Sequence, residues 1–218
     1  MLHITLTIAI TAYFLGSIPF GYLLVRIFRG EDVRQTGSGN IGATNVARTG
    51  SKWLAIATLF LDALKGYIAV AHVFLFAQRH PDEVTHAGTH YLYTLAALAG
   101  FCAILGHMFP VWLRFKGGKG VATAVGSFLA IAPAGIAVSL LFFIVTVAVT
   151  RFVSLGSMLG AAVFPLAAWW LNPETRSPGV MLLLAASSLL IIIRHKDNIR
   201  RLVAGNENRF GGGKKSAA

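Results

Sequence analysis

The 218-residue chain is 56% hydrophobic and only 12% charged, which excludes the ordinary soluble globular classes and points to a membrane-embedded protein. Its net charge of +11 comes from basic residues separated by long apolar runs, which excludes a continuous nucleic-acid-binding surface. The single cysteine, Cys102, excludes an internal disulfide and a cysteine-built zinc site.

A bilayer core needs about 20 apolar residues per helix. In chain order the runs that approach this length are residues 4–27, 53–77, 91–113, 121–150, 152–171 and 178–193. The 121–150 run is uncharged throughout and carries Pro133, Ala134 and Gly135 near its middle, where proline removes an amide donor. It reads either as one tilted, kinked helix or as two short ones. The rule that cytoplasmic loops are rich in Lys and Arg selects the second. Two crossings put Arg26, Arg29, Arg34, Arg48 and Lys52 on the same side as Arg114, Lys116, Lys119, Arg151 and the basic tail from Arg194. Arg79 and Arg176 then lie opposite, and Lys65 falls within a span.

The expectation is an all-α, seven-segment transmembrane bundle, one domain over residues 1–218, with its N-terminus outside and its C-terminus cytoplasmic. Two of the segments are expected to be half-spanning, about 12 to 15 residues each. A cleaved signal peptide is the alternative for the first run, but that run lacks a basic start and is too long. The glycine- and lysine-rich tail at 211–215 reads as solvated chain near anionic lipid.

Three polar segments share the basic side. The first, residues 36–48, holds Ser38, Asn40, Thr44, Asn45 and Arg48 among three glycines. Glycines let backbone amides converge on an anion, and an arginine supplies a bidentate fork for phosphate. A surface turn in which Ser and Asn satisfy the backbone would have the same composition.

The second segment reads Arg114, Phe115, Lys116, Gly117, Gly118, Lys119, Gly120 and enters a helix. Free amides, a positive dipole end and a mobile ammonium together form an anion site. It is not a nucleotide P-loop, because no glycine precedes Gly118 across the four-residue gap of that motif and Gly120 stands where the metal-binding hydroxyl belongs.

The third segment runs from Arg194 to Leu202, with His195 and Asn198 three residues apart on one helix face. His195 can act near neutral pH as acid, base or donor. A basic helix end reaching for lipid phosphates is the plain alternative.

Polar residues within the spans need their own account. Asp62 and Lys65 stand three apart, either neutralising each other or facing the bundle interior beneath the site. Ser154 and Ser157 follow Arg151 and either cap a helix or contact bound phosphate. His72 and His107 read as interhelical hydrogen bonders, with no metal-ligand spacing around them.

The runs at 37–48, 115–123 and 194–202 closely resemble the three motifs of the bacterial acyl-phosphate-dependent glycerol-3-phosphate acyltransferases. The resemblance extends to Gly205 and Glu207 and covers nearly the whole chain in order and spacing. It implies acyl transfer from acyl phosphate to the 1-hydroxyl of sn-glycerol 3-phosphate, giving lysophosphatidic acid and phosphate, the first acylation of phospholipid synthesis. It further implies a multi-pass protein of the bacterial inner membrane, with the active site at the cytoplasmic face. The donor would come from an upstream acyl-phosphate-forming acyltransferase. Neither cofactor nor metal is expected.

By the same resemblance Ser38 and Arg48 are essential polar residues, and Gly117, Gly118, Lys119 and Gly120 form the glycerol-phosphate loop. His195 and Asn198 are the catalytic pair, and Glu207 supports structural integrity. The His-x-x-x-x-Asp spacing of the other large glycerolipid acyltransferase class occurs nowhere. An organophosphate transporter built on broken helices is the alternative from a different class, and it predicts more polar residues at depth than these spans carry.

Overall fold

The computed structural model describes residues 2–81 and 88–211, so residues 212–215 of the expected tail lie outside the described residues. Among the described residues every regular element is helical. Apart from four single 3-10 turns, they are in order α1 (Leu2–Gly16), α2 (Phe20–Arg29), α3 (Ala43–Val46), α4 (Lys52–Arg79), α5 (Gly88–Met108), α6 (Val121–Leu129), α7 (Pro133–Thr150), α8 (Val153–Leu171), α9 (Pro178–Ile193) and α10 (Lys196–Val203).

Two expectations about the spans are corrected. The first run is not one continuous helix: it breaks at Ser17, Ile18 and Pro19, where proline cannot donate to the turn before it. Its two pieces together still have the length and apolarity of a single crossing, Leu2–Arg29. The 121–150 run does break at Pro133, but unevenly, into 9 residues of α6 and 18 of α7. Pro133 opens α7 at a position where no intrahelical amide is needed. Only α6 is therefore half-length.

By length and composition five helical stretches can cross a membrane: Leu2–Arg29, Lys52–Arg79, Gly88–Leu113, Pro133–Thr150 and Val153–Leu171. A sixth is obtained if α9 and α10, bent by 52°, count as one. Among the described residues the chain is thus all-helical, with five or six stretches long and apolar enough to cross a membrane.

Small residues let these helices touch, since apolar burial gives no net drive between helices in lipid and close packing must supply it. A Cβ at Gly126 of α6 would fall 1.8 Å from the Ala63 carbonyl of α4, so only glycine permits that approach. α7 and α8 form a tight hairpin through Arg151, which adopts φ 63°. The main core gathers Val70, Ala97, Ala103, Ile104, Met108, Phe128 and Leu184. A second cluster of Val25, Val33, Ile41, Val46, Leu54 and Leu113 lies under the first polar segment and ties it to the bundle.

Candidate active site

The first loop is held by its own asparagine. Asn45 is buried; its amide nitrogen lies within 2.9 Å of the Val33, Thr36 and Asn40 carbonyls, and its Oδ1 accepts the Ser38 amide at 2.9 Å. Its polar atoms are thus engaged within the loop, which corrects the expectation that it meets substrate. Asn40 likewise uses Oδ1 on the Gly42 amide. Ser38, Thr44 and Arg48 are exposed. Gly37, at φ +58°, lets the Arg48 side chain lie across the loop, since a Cβ there would meet Arg48 Cδ at 2.8 Å.

The glycine loop folds back on the end of α5. Arg114 and Phe115 adopt positive φ, and the chain reverses so that Gly117 donates to the Met108 carbonyl at 3.1 Å and Gly118 to that of His107 at 3.0 Å. These two amides are therefore committed, which corrects their expected role as phosphate donors. Their carbonyls accept from Arg194 at 3.2 Å, and its guanidinium stacks 5.3 Å from the Phe109 ring centre. The amides left for an anion are those opening α6, which begins after Gly120 at φ +81°. Lys116 is exposed, whereas Lys119 is half-buried and turned into the bundle end.

The third segment meets that lysine. Asn198 Oδ1 accepts from Lys119 Nζ, and Asn198 Nδ2 donates to Glu207 Oε1 at 2.6 Å. Ser154 donates to the same oxygen at 2.8 Å, and Arg201 pairs with Glu207 Oε2 at 2.7 Å. Glu207 gets there because Gly205, at φ +71°, ends α10 with paired bonds from Gly205 to the Leu202 carbonyl and from Asn206 to that of Arg201. One carboxylate thus joins α8, α10 and, through Asn198, the glycine loop. Ser157 donates to the Val153 carbonyl at 2.9 Å and lines a narrow apolar cleft with Val121, Phe128, Phe164 and Ile191.

Charge states follow from burial. Desolvation brings the Lys119 ammonium down to about 8, with Arg201 and Arg48 pushing the same way and Glu207 opposing. Burial, then Lys119, lowers His195 to about 4, so its ring is neutral at physiological pH. Its Nδ1 lies 2.7 Å from the Ile191 carbonyl, which can only accept, so Nδ1 carries the proton and Nε2 is a bare acceptor. Burial works to raise the Glu207 carboxyl, but the bonds from Asn198, Ser154 and Arg201 outweigh it and hold it below the usual range.

Asp62 and Lys65 form a buried pair at 2.8 Å, and His107 lies 3.5 Å from the same Asp62 oxygen. His72 is exposed and so does not bridge helices. Among the described residues no group of three His, Cys, Asp or Glu side chains is placed to hold a metal. Sequence reasoning missed Arg194 as a clamp on the glycine loop; the signal was its place among three basic residues at the end of a span. It also missed Arg201 as the partner of Glu207, although the six-residue offset was visible.

The fold and these groups define an integral membrane protein with a cationic, amide-lined site at one end of the bundle, beside a neutral imidazole. The family model for glycerol-3-phosphate acyltransferase matches residues 6–205. The glycerol-3-phosphate acyltransferase of Agrobacterium fabrum is 47% identical over 93% of this chain and 90% of its own, and that of Paramagnetospirillum magneticum 45% over 94% and 92%. Among solved structures, the integral membrane glycerol 3-phosphate acyltransferase PlsY superposes with a TM-score of 0.82 in its glycerol 3-phosphate form. That match is 38% identical and covers 95% of this chain and 96% of the other. The lysophosphatidic acid form gives 0.78, at 36% identity and 95% of each chain. The chain belongs to the glycerol-3-phosphate acyltransferase family.

Proposed function

We propose that this protein transfers a fatty acyl group from acyl phosphate to the 1-hydroxyl of sn-glycerol 3-phosphate, yielding lysophosphatidic acid and phosphate. The observation that carries the reading is the convergence of Arg48, Lys119 and the α6 amides on one end of the bundle beside the bare Nε2 of His195. Two phosphate-bearing substrates repel each other, and clustered cations with oriented amides are what offsets that repulsion. The glycerol 3-phosphate and lysophosphatidic acid forms of the related PlsY structure support the same substrate and product here.

Acyl phosphate is a mixed anhydride, so its carbonyl arrives activated and the site mainly positions an alcohol against it. Arg48, Lys119 and the α6 amides hold the phosphates; Ser38 orients substrate, and Asn198 sets the Lys119 ammonium. His195 Nε2 accepts the hydrogen bond of the 1-hydroxyl and aims its oxygen at the carbonyl. With its pKa near 4, the ring is a weaker base than a phosphate monoester with a second pKa of about 6. The proton therefore goes to a substrate phosphate oxygen as the ester bond forms, and the anhydride bond breaks to release phosphate. A covalent acyl-Ser38 step is not needed. The acyl tail lies among the helices on the lipid side.

The same reading takes the chain as one domain of seven segments, α6 being the short one, with the N-terminus outside and the basic loops cytoplasmic. Its setting is a bacterial inner membrane, with an upstream acyl-phosphate-forming acyltransferase supplying the donor. The test is phosphate release by purified protein with palmitoyl phosphate, with and without glycerol 3-phosphate, in EDTA and without nucleotide or acyl-CoA. Release that depends on glycerol 3-phosphate and is matched by lysophosphatidic acid is the expected result. Absence of turnover by folded protein overturns the reading and moves the question to glycerol-phosphate flux in liposomes.

A further inference from the structure

Beneath the phosphate-holding loops lies a charged centre for which the acyl transfer drawn above has no chemical use. Asp62 and Lys65 are each 2% exposed and His107 4%, deep among α1, α4 and α5. Removing a charge pair from water usually costs as much as its attraction returns, so stability alone does not explain it. Its contacts point elsewhere.

Lys65 Nζ, 2.8 Å from Asp62, also donates at 2.7 Å to the Ile18 carbonyl, in the break between α1 and α2. Immediately past that break, Gly21 packs on the first polar loop so closely that a Cβ would fall 1.9 Å from the Ile41 carbonyl. The start of α2 therefore sets the height of Ile41, and with it the loop that carries Ser38 and Arg48. In the other direction, His107 reaches from Asp62 to the glycine loop. A Cβ at Gly118 would fall 1.9 Å from His107 Nε2, and the Gly118 amide donates to the His107 carbonyl at 3.0 Å. Lys119 is the next residue along.

We infer that Asp62, Lys65 and His107 are positioning residues: one buried charge centre fixes the first loop and the glycine loop at a common depth, so that Arg48 and Lys119 meet the same pair of phosphates. Gly118 is glycine on this account because the imidazole occupies the space of a side chain. The inference rests on the acyltransfer reading for the identity of the ligand. Active sites require outer supports, by packing and hydrogen bonds such as that of Lys65 to the Ile18 carbonyl, to hold such groups within about 0.5 Å.

The experiment is a comparison of Gly118→Ala in the wild-type and His107→Ala backgrounds, with kcat and KM for each substrate and melting in detergent. In the wild type, Gly118→Ala is expected to lower kcat/KM for glycerol 3-phosphate by about 100-fold, because ring and methyl compete for one space. With the ring removed, the same change is expected to cost less than about 3-fold. Equal losses in both backgrounds overturn the inference. Asp62→Asn with Lys65→Met removes both charges at nearly constant volume. It is expected to melt near the wild-type temperature while KM for glycerol 3-phosphate rises about tenfold and kcat moves less. Wild-type kinetics in that variant also overturn the inference, and if it does not fold the Gly118 comparison decides. A wild type that shows no turnover defeats the acyltransfer reading instead, so the two failures are distinct.

Discussion

Raising the pH from 7 to 9 is expected to weaken capture of glycerol 3-phosphate by discharging Lys119. The ammonium is half-buried between Arg48, Arg201 and the neutral His195, and burial brings its pKa to about 8. A lysine with that pKa is about 90% protonated at pH 7 and about 10% at pH 9. Glycerol 3-phosphate is a dianion throughout this range, with its second pKa near 6, and His195 titrates near 4, so neither contributes a bend there. The sign follows: the phosphate-holding form is the protonated one, so kcat/KM for glycerol 3-phosphate is full below the bend and falls about tenfold per unit well above it. Phosphate release with both palmitoyl phosphate and glycerol 3-phosphate well below their KM measures this directly, because it reports the unliganded site. Lys119→Arg keeps its charge across the range and is expected to show a flat profile. Lys119→Ala loses a charged hydrogen bond of about 1.5–3 kcal/mol, raising KM by about one to two powers of ten at pH 7. A wild-type profile without a bend between pH 7 and 9.5, or the same bend in Lys119→Arg, would refute the assignment of Lys119 to the phosphate.

Glu207→Gln removes the charge that binds Arg201 and anchors Asn198; a fall in kcat of at least about tenfold is expected, with the pH bend moved lower because the carboxylate no longer supports the ammonium. Unchanged turnover and an unmoved bend would disprove its anchoring role. His195→Ala is expected to lower kcat by about 100-fold with melting in detergent unaltered, and normal turnover would remove the imidazole from the reaction. Arg194→Met unclamps the Gly117 and Gly118 carbonyls, so KM for glycerol 3-phosphate is expected to rise while KM for palmitoyl phosphate changes little; equal shifts in both would argue against a loop-specific clamp. Gly205→Ala forces a side chain to φ +71° and is expected to cost about 1 kcal/mol, read as a lower melting temperature.

What the sequence determined by itself is what composition and spacing encode locally. Long apolar runs make membrane helices because no other open structure satisfies the backbone in lipid, and the break at Pro133 was legible because proline lacks an amide. The three polar segments were legible because glycines that free backbone amides, set beside lysine, arginine and histidine on one side of the membrane, are the local ingredients of an anion site. His195, Asn198 and Lys119 emerged as site candidates in this way, as did Glu207 through the family resemblance, and the fold hydrogen-bonds Lys119, Asn198 and Glu207 in a row with His195 close enough to feel the charges of Lys119 and Glu207.

Tertiary structure decided the direction in which each polar group is used. Asn45 and Asn198 have the same side chain, yet Asn45 satisfies backbone carbonyls of its own loop while Asn198 joins Lys119 to Glu207. No local pattern distinguishes an amide that completes a turn from one that links charged side chains of distant segments. The Gly117 and Gly118 amides seemed free in the sequence and are consumed by the end of α5, a contact that exists only once Arg114 and Phe115 reverse the chain. The break at Pro19 escaped notice because the apolar run continues across it without a change in composition. The charge centre at Asp62 shows the same division: the three-residue spacing from Lys65 was visible in the chain, while the Ile18 carbonyl in the break before α2 and the His107 ring on α5, which meet it, are distant in sequence.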